Sequence, residues 1–348
     1  QVRPVINVTS AQLILGEAAT PQVVPQSEID TIGIGPDIGI LGAPVTVPET
    51  DDLVETGWTA CTDADRGLRL DVSASPQVRP VPGAGYVVTS NGVPYVIAQS
   101  PADGDVASRA YRYALPADLP GLDNLLDALD LPIQRDAVPV PGDWLDLFPE
   151  GGALEFASLG VTDFGDPSPL AGQGGLPPGA RTGDYYEIDG ELSVLTAQGP
   201  AELDEVARAV FLNSTQRARA RDLGLTTPPT VTQASPPYLA AHWPTTTLER
   251  VSGEQCAQLR PEPGEVPGVV LVQLEGDDAS AAEVDPTERE VTVDPGKGAF
   301  VLSGGWDTPD VGEPFVVDAK GFSYALVGSD AVDNLGFGGY DAPVVPDS

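Results

Sequence analysis

The chain has a single imidazole, and a nucleophilic relay would have to be built on it. His242 lies in Pro236-Pro237-Tyr238-Leu239-Ala240-Ala241-His242-Trp243-Pro244. A serine activated by histidine needs a strained elbow of the Gly-x-Ser-x-Gly type and a carboxylate to orient the base. No such elbow accompanies His242, which reads as a structural or surface residue beside Trp243. Two cysteines, Cys61 and Cys256, and one histidine cannot assemble an ordinary zinc site, so no transition metal is expected. Calcium would find 52 acidic side chains, yet no Asp-x-Asp-x-Asp-Gly loop occurs. Asp51-Asp52 and Asp277-Asp278 read as solvated loop charges. The fragment nearest to a phosphate loop is Asp294-Pro295-Gly296-Lys297-Gly298. It lacks the first glycine, follows lysine with glycine, and reads as a hairpin turn between two strands. No pair of acids is singled out for glycoside hydrolysis. The reading therefore names no catalytic residue, no cofactor and no metal.

Two groups of residues do invite a physical reading. Arg208, Arg217, Arg219 and Arg221 form a basic cluster in a very acidic chain, and on a helix Arg217 and Arg221 would share a face. Pairing with the protein's own acids is one account; an interface with an acidic partner, through Arg208, Arg217 and Arg221, is the other. Cys61 and Cys256 are either two small buried hydrophobes of a reducing compartment or a disulfide. Each ends a β-like stretch beside turn signals, which favours the disulfide and with it an oxidising, extracytoplasmic location. Closing so long a loop would contribute about 5 kcal/mol in the chain-entropy account.

The elements that must position these residues repeat. Tyr86-Val87-Val88 turns at Asn91-Gly92 into Tyr95-Val96-Ile97; Tyr186-Glu187-Ile188 turns at Asp189-Gly190 into Leu192-Ser193-Val194; Phe315-Val316-Val317 turns around Lys320-Gly321 into Tyr324-Ala325-Leu326. Proline-rich exits recur at Ala43-Pro44, Ala137-Val138-Pro139 and Ala342-Pro343. A repeated β-β-α unit suits the presentation of surfaces better than the enclosure of an active site. Leu122, Leu125, Leu126 and Leu129 make one helical stripe, and Leu203, Val206, Ala207, Val210 and Phe211 a second, with Pro200 expected in the first helical turn. Val5 to Val8 reads as a strand, and Thr9-Ser10 as the cap of a helix over 11–15. Leu68, Leu70 and Val72 alternate as a half-buried strand does. Stretches at 248–251, 269–274, 291–293 and 299–302 are expected to pair with the 58–72 region, where a Cys61–Cys256 bridge would staple the sheet.

These readings divide the chain into 1–55 (a first repeat, truncated), 56–84 (core), 85–154 (second repeat), 155–246 (third repeat and linkers), 247–312 (core) and 313–348 (fourth repeat, truncated). The fold class is α+β, a β-rich core with about four small modules around it. Composition agrees: 348 residues, 41% hydrophobic, with 39 Gly and 36 Pro to serve many turns. A formal charge of -35, with Lys297 and Lys320 as the only lysines, would repel a phosphate backbone, so no nucleic acid is expected. There is no methionine, no signal peptide and no apolar run long enough to cross a bilayer. Any anchor is expected upstream of Gln1.

Taken in order, these segments resemble the EccB family, the single-pass membrane component of the type VII (ESX) secretion system of actinobacteria. The likeness runs over essentially the whole chain. It is carried by Arg3-Pro4-Val5-Ile6-Asn7-Val8-Thr9-Ser10-Ala11-Gln12-Leu13-Ile14-Leu15, Gly39-Ile40-Leu41-Gly42-Ala43-Pro44, Trp58-Thr59-Ala60-Cys61 with the later Cys256, Asp136-Ala137-Val138-Pro139-Val140-Pro141 through Phe148-Pro149-Glu150-Gly151, and Gly183-Asp184-Tyr185-Tyr186 with Asp189-Gly190. The resemblance implies an elongated protein whose modules surround the core pseudo-symmetrically, with Cys61 and Cys256 as the structural disulfide. It implies an N-terminal transmembrane helix in the inner membrane, with this domain on the periplasmic side. Expected partners are further copies of the chain, as a dimer or higher oligomer, and EccC, EccD and EccE, with the mycosin protease nearby. The expected function is that of a non-enzymatic structural subunit supporting export across the inner membrane. Family members are described as ATPases, so a nucleotide-hydrolysing subunit is the alternative, using Arg208 to Arg221 or Lys297. A cell-wall glycan-binding module is another, with Tyr185, Tyr186 and Trp243 as its aromatic candidates.

Overall fold

Four separate sheets account for nearly all the strands. The computed structural model describes residues 2–16, 22–102, 107–116, 119–276 and 280–347; Asp277-Asp278 lie outside them. The central sheet has six strands in the order Arg289–Val293, Leu68–Val72, Trp58–Thr62, Gln255–Arg260, Gly268–Leu274, Val78–Pro80. All pairs are antiparallel except the edge strand Arg289–Val293, which runs parallel to Leu68–Val72. Cys61 and Cys256 face each other in register, with Cα atoms 4.1 Å apart, and are joined by a disulfide. That spacing is typical of a non-hydrogen-bonded antiparallel pair, where side chains lie close enough to bridge.

A second sheet comprises Ala84–Ser90, Val93–Ser100 and Arg109–Ala114, with Val138–Pro139 and Glu249–Arg250 adding parallel to its first strand. Its hairpin closes at Asn91 and Gly92, both with positive φ. That conformation matches the twist of the flanking strands and favours Asn-Gly there. Strand periodicity splits its side chains between two cores. On one face Tyr86, Val88 and Ile97 join Trp144, Phe148 and the central sheet's Leu68, Leu259 and Leu271. On the other, Val87, Val96 and Tyr113 meet the helices Leu122–Ala128 and Glu205–Asn213, which pack on each other. The sheet is thus covered on both sides.

The third sheet, Tyr185–Ile188, Glu191–Leu195 and Pro200–Glu202, turns at Asp189 and Gly190, again both at positive φ. Pro200 sits in its edge strand and not in a helix. The following helix begins at Glu205, because the Asp204 carboxylate accepts from the Ala207 amide at 2.8 Å and so caps it. The fourth sheet orders Ser323–Ala325, Glu313–Val317, Ala299–Gly304 and Val344–Pro346, the last parallel to its neighbour.

Two of the expected core strands therefore lie elsewhere. Glu249–Arg250 adds to the second sheet, drawn there by Leu248, which is buried in that unit's core and bonds its amide to the Leu129 carbonyl. Ala299–Gly304 pairs antiparallel with Glu313–Val317, its next neighbour in sequence, as short connections favour. The start of the chain also differs. Val8–Leu15 is helical and Asn7 is its cap, the side chain accepting from the Ser10 amide at 2.7 Å; Val2 and Val5 make only isolated bridges to Ile34 and Ile38. This helix packs against the last unit, where Asn334 donates to the Leu13 carbonyl and Leu13, Val47 and Leu53 join Phe300, Val316, Leu335 and Phe337. The two ends of the chain share one small core.

Candidate functional site

His242 closes a short 3-10 turn with φ +54, its ring stacked on Tyr111 at 4.8 Å and its carbonyl accepting from the Tyr113 hydroxyl. It edges a cleft of about 550 Å³ formed by the second sheet and the loops beside the fourth. No serine lines that cleft. Two arginines there face four acids, Asp146, Glu150, Asp307 and Asp347. Arg112 is bonded to Asp146 at 2.6 Å and Glu150 at 3.1 Å. Arg109 is nearly fully buried: its Nε donates to the Tyr111 hydroxyl at 2.7 Å, its Nη1 to the Trp306 carbonyl at 3.2 Å, and its guanidinium lies within 6 Å of both rings. Its Nη2 also lies 3.6 Å from the Asp307 carboxylate, so both cations are neutralised in place. The cleft reads as a seam between two units, and Arg109 is its pin. Nothing in the sequence around Arg109 signals this role, because Trp306, which it reaches across the seam, lies 197 residues away.

Lys297 does lie in a turn, where its amide bonds to the Asp294 carbonyl, but the flanking strands belong to different sheets, so the turn is a crossover and not a hairpin. Its ammonium donates to the Asp52 carboxylate at 2.9 Å and to the Asp51 carbonyl at 3.3 Å. A lysine occupied in this way ties the N-terminal segment to the crossover between the central and fourth sheets and offers little to a phosphate. Tyr185, Tyr186 and Trp243 are all buried. The Trp243 indole donates to the Gly152 carbonyl at 2.7 Å and stacks on Tyr238. These rings are core residues and do not line a sugar-binding groove.

Groups whose acidity departs from the ordinary are mostly tyrosines. Burial pushes Tyr86 up to about 12, and raises Tyr113, Tyr238 and Tyr340 as well. Asp204 is also raised, chiefly by burial, although the amides it caps pull the other way. None of these lines the large cleft, so they describe packing and offer no acid–base pair.

The arginine cluster is more informative. Residues 215–218 form a 3-10 turn capped by Ser214, and Arg221 lies beyond it, so the expected shared helical face is not formed. Arg208 pairs with Glu187 at 3.3 Å. Arg221 reaches the buried Asp184 at 3.1 Å, and that carboxylate also accepts from the backbone amides of Arg181 and Arg221. Arg217 lies over the Tyr185 ring, 4.3 Å from its centroid, and Arg219 lies 5.6 Å from that of Phe164. Arg181, unremarked in the sequence, donates to the Gly165 carbonyl beside them. Asp184 organises this surface from below.

The family described as type VII secretion system ESX-1, transport TM domain B, matches residues 1–348. Among curated relatives, the ESX-1 secretion system ATPase EccB1 of Mycolicibacterium smegmatis (strain MKD8) is 25% identical over 97% of this chain and 71% of its own length. The ESX-3 secretion system ATPase EccB3 of M. smegmatis (strain ATCC 700084 / mc(2)155) is 32% identical over 47% of this chain and 24% of its own length. Among solved structures, the EccB3 dimer from the ESX-3 core complex aligns with a TM-score of 0.66 at 21% identity, covering 99% of this chain and 90% of that one. A chain of the periplasmic assembly of the ESX-5 inner membrane complex aligns at 0.61 and 20% identity, covering 99% of this chain and 86% of that one. At these identities the solved structures speak for the fold, and the match along the full sequence speaks for the family: the chain belongs to the EccB family of type VII secretion systems.

Proposed function

We propose that this chain is the extracytoplasmic, structural part of an EccB subunit, which self-associates and supports export of secreted substrates through a type VII membrane complex. The observation that carries this reading is the correspondence of fold over 99% of the chain with an EccB solved as a dimer. Further support comes from the architecture: four sheets with modest clefts whose cations are already paired, suited to presenting surfaces. The disulfide suits an oxidising compartment. No helix among the described residues is long and apolar enough to cross a membrane. In this proposal the anchor is a transmembrane helix ahead of Gln1, in the inner membrane. The units 1–55, 85–154, 155–246 and 313–348 are the surfaces offered to neighbours around the core of 56–84 and 247–312. Those neighbours are further copies, EccC, EccD and EccE, with the mycosin protease nearby.

The word ATPase in the names of relatives favours a second reading, nucleotide hydrolysis. In this chain Lys297 is held by Asp52, and the large cleft carries four acids against two arginines. Both oppose a triphosphate. Affinity purification of the full-length, membrane-anchored protein from gently solubilised native membranes, followed by mass spectrometry, tests the first reading. Recovery with an EccC-type motor, EccD and EccE is expected. Recovery alone, under conditions in which those proteins stay assembled with each other, would refute it.

A further inference from the structure

Five of the protein's 17 basic residues, Arg181, Arg208, Arg217, Arg219 and Arg221, come from one unit, and four of them surround the segment 179–185. Arg208 and Arg221 are consumed by Glu187 and Asp184. Arg181, Arg217 and Arg219 have no carboxylate within ion-pair distance among the described residues. With 52 acids against 17 bases, a cation without a carboxylate partner has avoided an abundant one.

What holds Arg217 and Arg219 instead is aromatic, while Arg181 donates to the Gly165 carbonyl. Tyr185 is buried and packed edge-on against Phe211, and Phe164 lies edge-on to Phe156. Gly183, at φ +89, leaves room for Phe164; a Cβ there would stand 2.2 Å from the ring. The two rings are therefore fixed platforms. A cation–π contact consumes none of a guanidinium's N–H donors, which stay available in the fork that matches a carboxylate.

We propose that this arginine face docks a carboxylate-bearing segment of a protein partner. The chemistry favours discrete carboxylates over a continuous polyanion. Asp163, Asp166 and Asp222 are exposed in the same loops, and the whole chain carries a charge of -35. A lipid surface or a nucleic acid would meet those charges at every approach, whereas spaced Glu or Asp side chains can reach the forks between them. This goes beyond a scaffold role and does not depend on it, since a surface of this kind would bind its partner outside any membrane complex.

The test is direct binding of a fluorescein-labelled peptide of spaced glutamates, a Glu-Gly-Ser repeat, to the purified chain, followed by anisotropy. Physiological ionic strength is used, because a screening length of about 8 Å removes the long-range repulsion and leaves contacts. Saturable binding is expected, weakened by at least about tenfold in Arg217→Gln/Arg219→Gln. Arg217→Lys/Arg219→Lys keeps the charge but not the planar fork, and is expected to lose most of the binding too. Wild-type denaturation midpoints in both variants would exclude unfolding, and Arg181→Gln, which leaves both platforms untouched, provides an independent loss. Absence of saturable binding, full binding by the double Gln variant, or displacement of the peptide by phosphatidylglycerol vesicles or single-stranded DNA more readily than by the same peptide unlabelled would each overturn the proposal.

Discussion

The helix Glu205–Asn213 and the helix Val8–Leu15 start alike and end differently. Both are capped by an Asx side chain that accepts from an amide three residues on. The first buries Val206, Ala207, Ala209, Val210 and Phe211 in the core that the second and third units share. The second buries only Thr9 and Ser10, while Ile14 and Leu15 are exposed. Among the described residues, 12 of the 18 exposed large hydrophobics lie within the first 45 positions, so the difference extends to the regions that carry the helices. Local signals of equal strength can start a helix, but only a stripe that meets a partner face makes it a stabilising element.

The largest effect should come from the staple of the central sheet. Replacing Cys61 and Cys256 together by serine removes a bridge spanning 195 residues, and about 5 kcal/mol is expected to be lost, read as a lower urea midpoint. A thiol reagent that fully labels the denatured, unreduced wild type would contradict the bridge itself. Next comes the contrast between the helices. Phe211→Ala opens a cavity between Tyr185 and Phe156 and should cost about 3–5 kcal/mol. Leu15→Ala should stay within about 0.5 kcal/mol, since that side chain is two-thirds exposed. Equal losses would mean that the N-terminal helix is held more firmly than its contacts indicate.

Legibility followed the same division. The three hairpins were readable because Asn91-Gly92 and Asp189-Gly190 supply the positive φ their turns require, and Lys320-Gly321 a third turn, Gly321 alone at positive φ. The stripes at 122–129 and 203–211 were readable from their spacing, and both lie in the core. Strand partners were harder. The apolar pattern of Ala299–Gly304 fits either neighbouring sheet, and only its short connection to Glu313–Val317 favours the pairing that forms. Pro200 misled because proline suits a first helical turn and an edge strand equally, and the Asp204 cap decides between them. The four named arginines were visible as a cluster, but their platforms were not: Tyr185 lies 32 residues from Arg217 and Phe164 55 from Arg219, and only the fold brings them together.

The caps allow a finer comparison through pH. Asp204 has its carboxyl raised above the ordinary value by burial. A carboxyl raised on folding contributes stability that is fully present below its unfolded value, near 3.9, and lost as pH rises through the folded value. Ionised Asp204 is therefore a cost at neutral pH, partly offset by the amides it caps. Asp204→Asn keeps the cap without the charge. It is expected to match or exceed wild-type stability at pH 7, by up to about 1 kcal/mol, and to lose that advantage as the pH is lowered below about 4. Matched urea denaturation at the two pH values measures it. A constant difference between the two proteins would remove burial as the source of the shift.

The smallest effect is expected where the two chain ends meet. Lys297 and Asp52 tie the N-terminal segment to the strand crossover that leads into the fourth sheet, through a pair that is partly open to water on both sides. Such pairs contribute about 0–1 kcal/mol, since Coulomb attraction is screened and two side chains must be held still. Lys297→Ala should therefore shift the denaturation midpoint slightly, and less in high salt than in low. The same variant addresses the chemistry. Any magnesium-dependent nucleotide turnover in a purified preparation is expected to survive Lys297→Ala unchanged, because the ammonium that a phosphate would need is already bound to a carboxylate. Turnover abolished by the substitution, in a protein that still unfolds at the wild-type midpoint, would make the Asp52 pair a resting state of a catalytic lysine. The lightly packed end of the molecule would then be its working end.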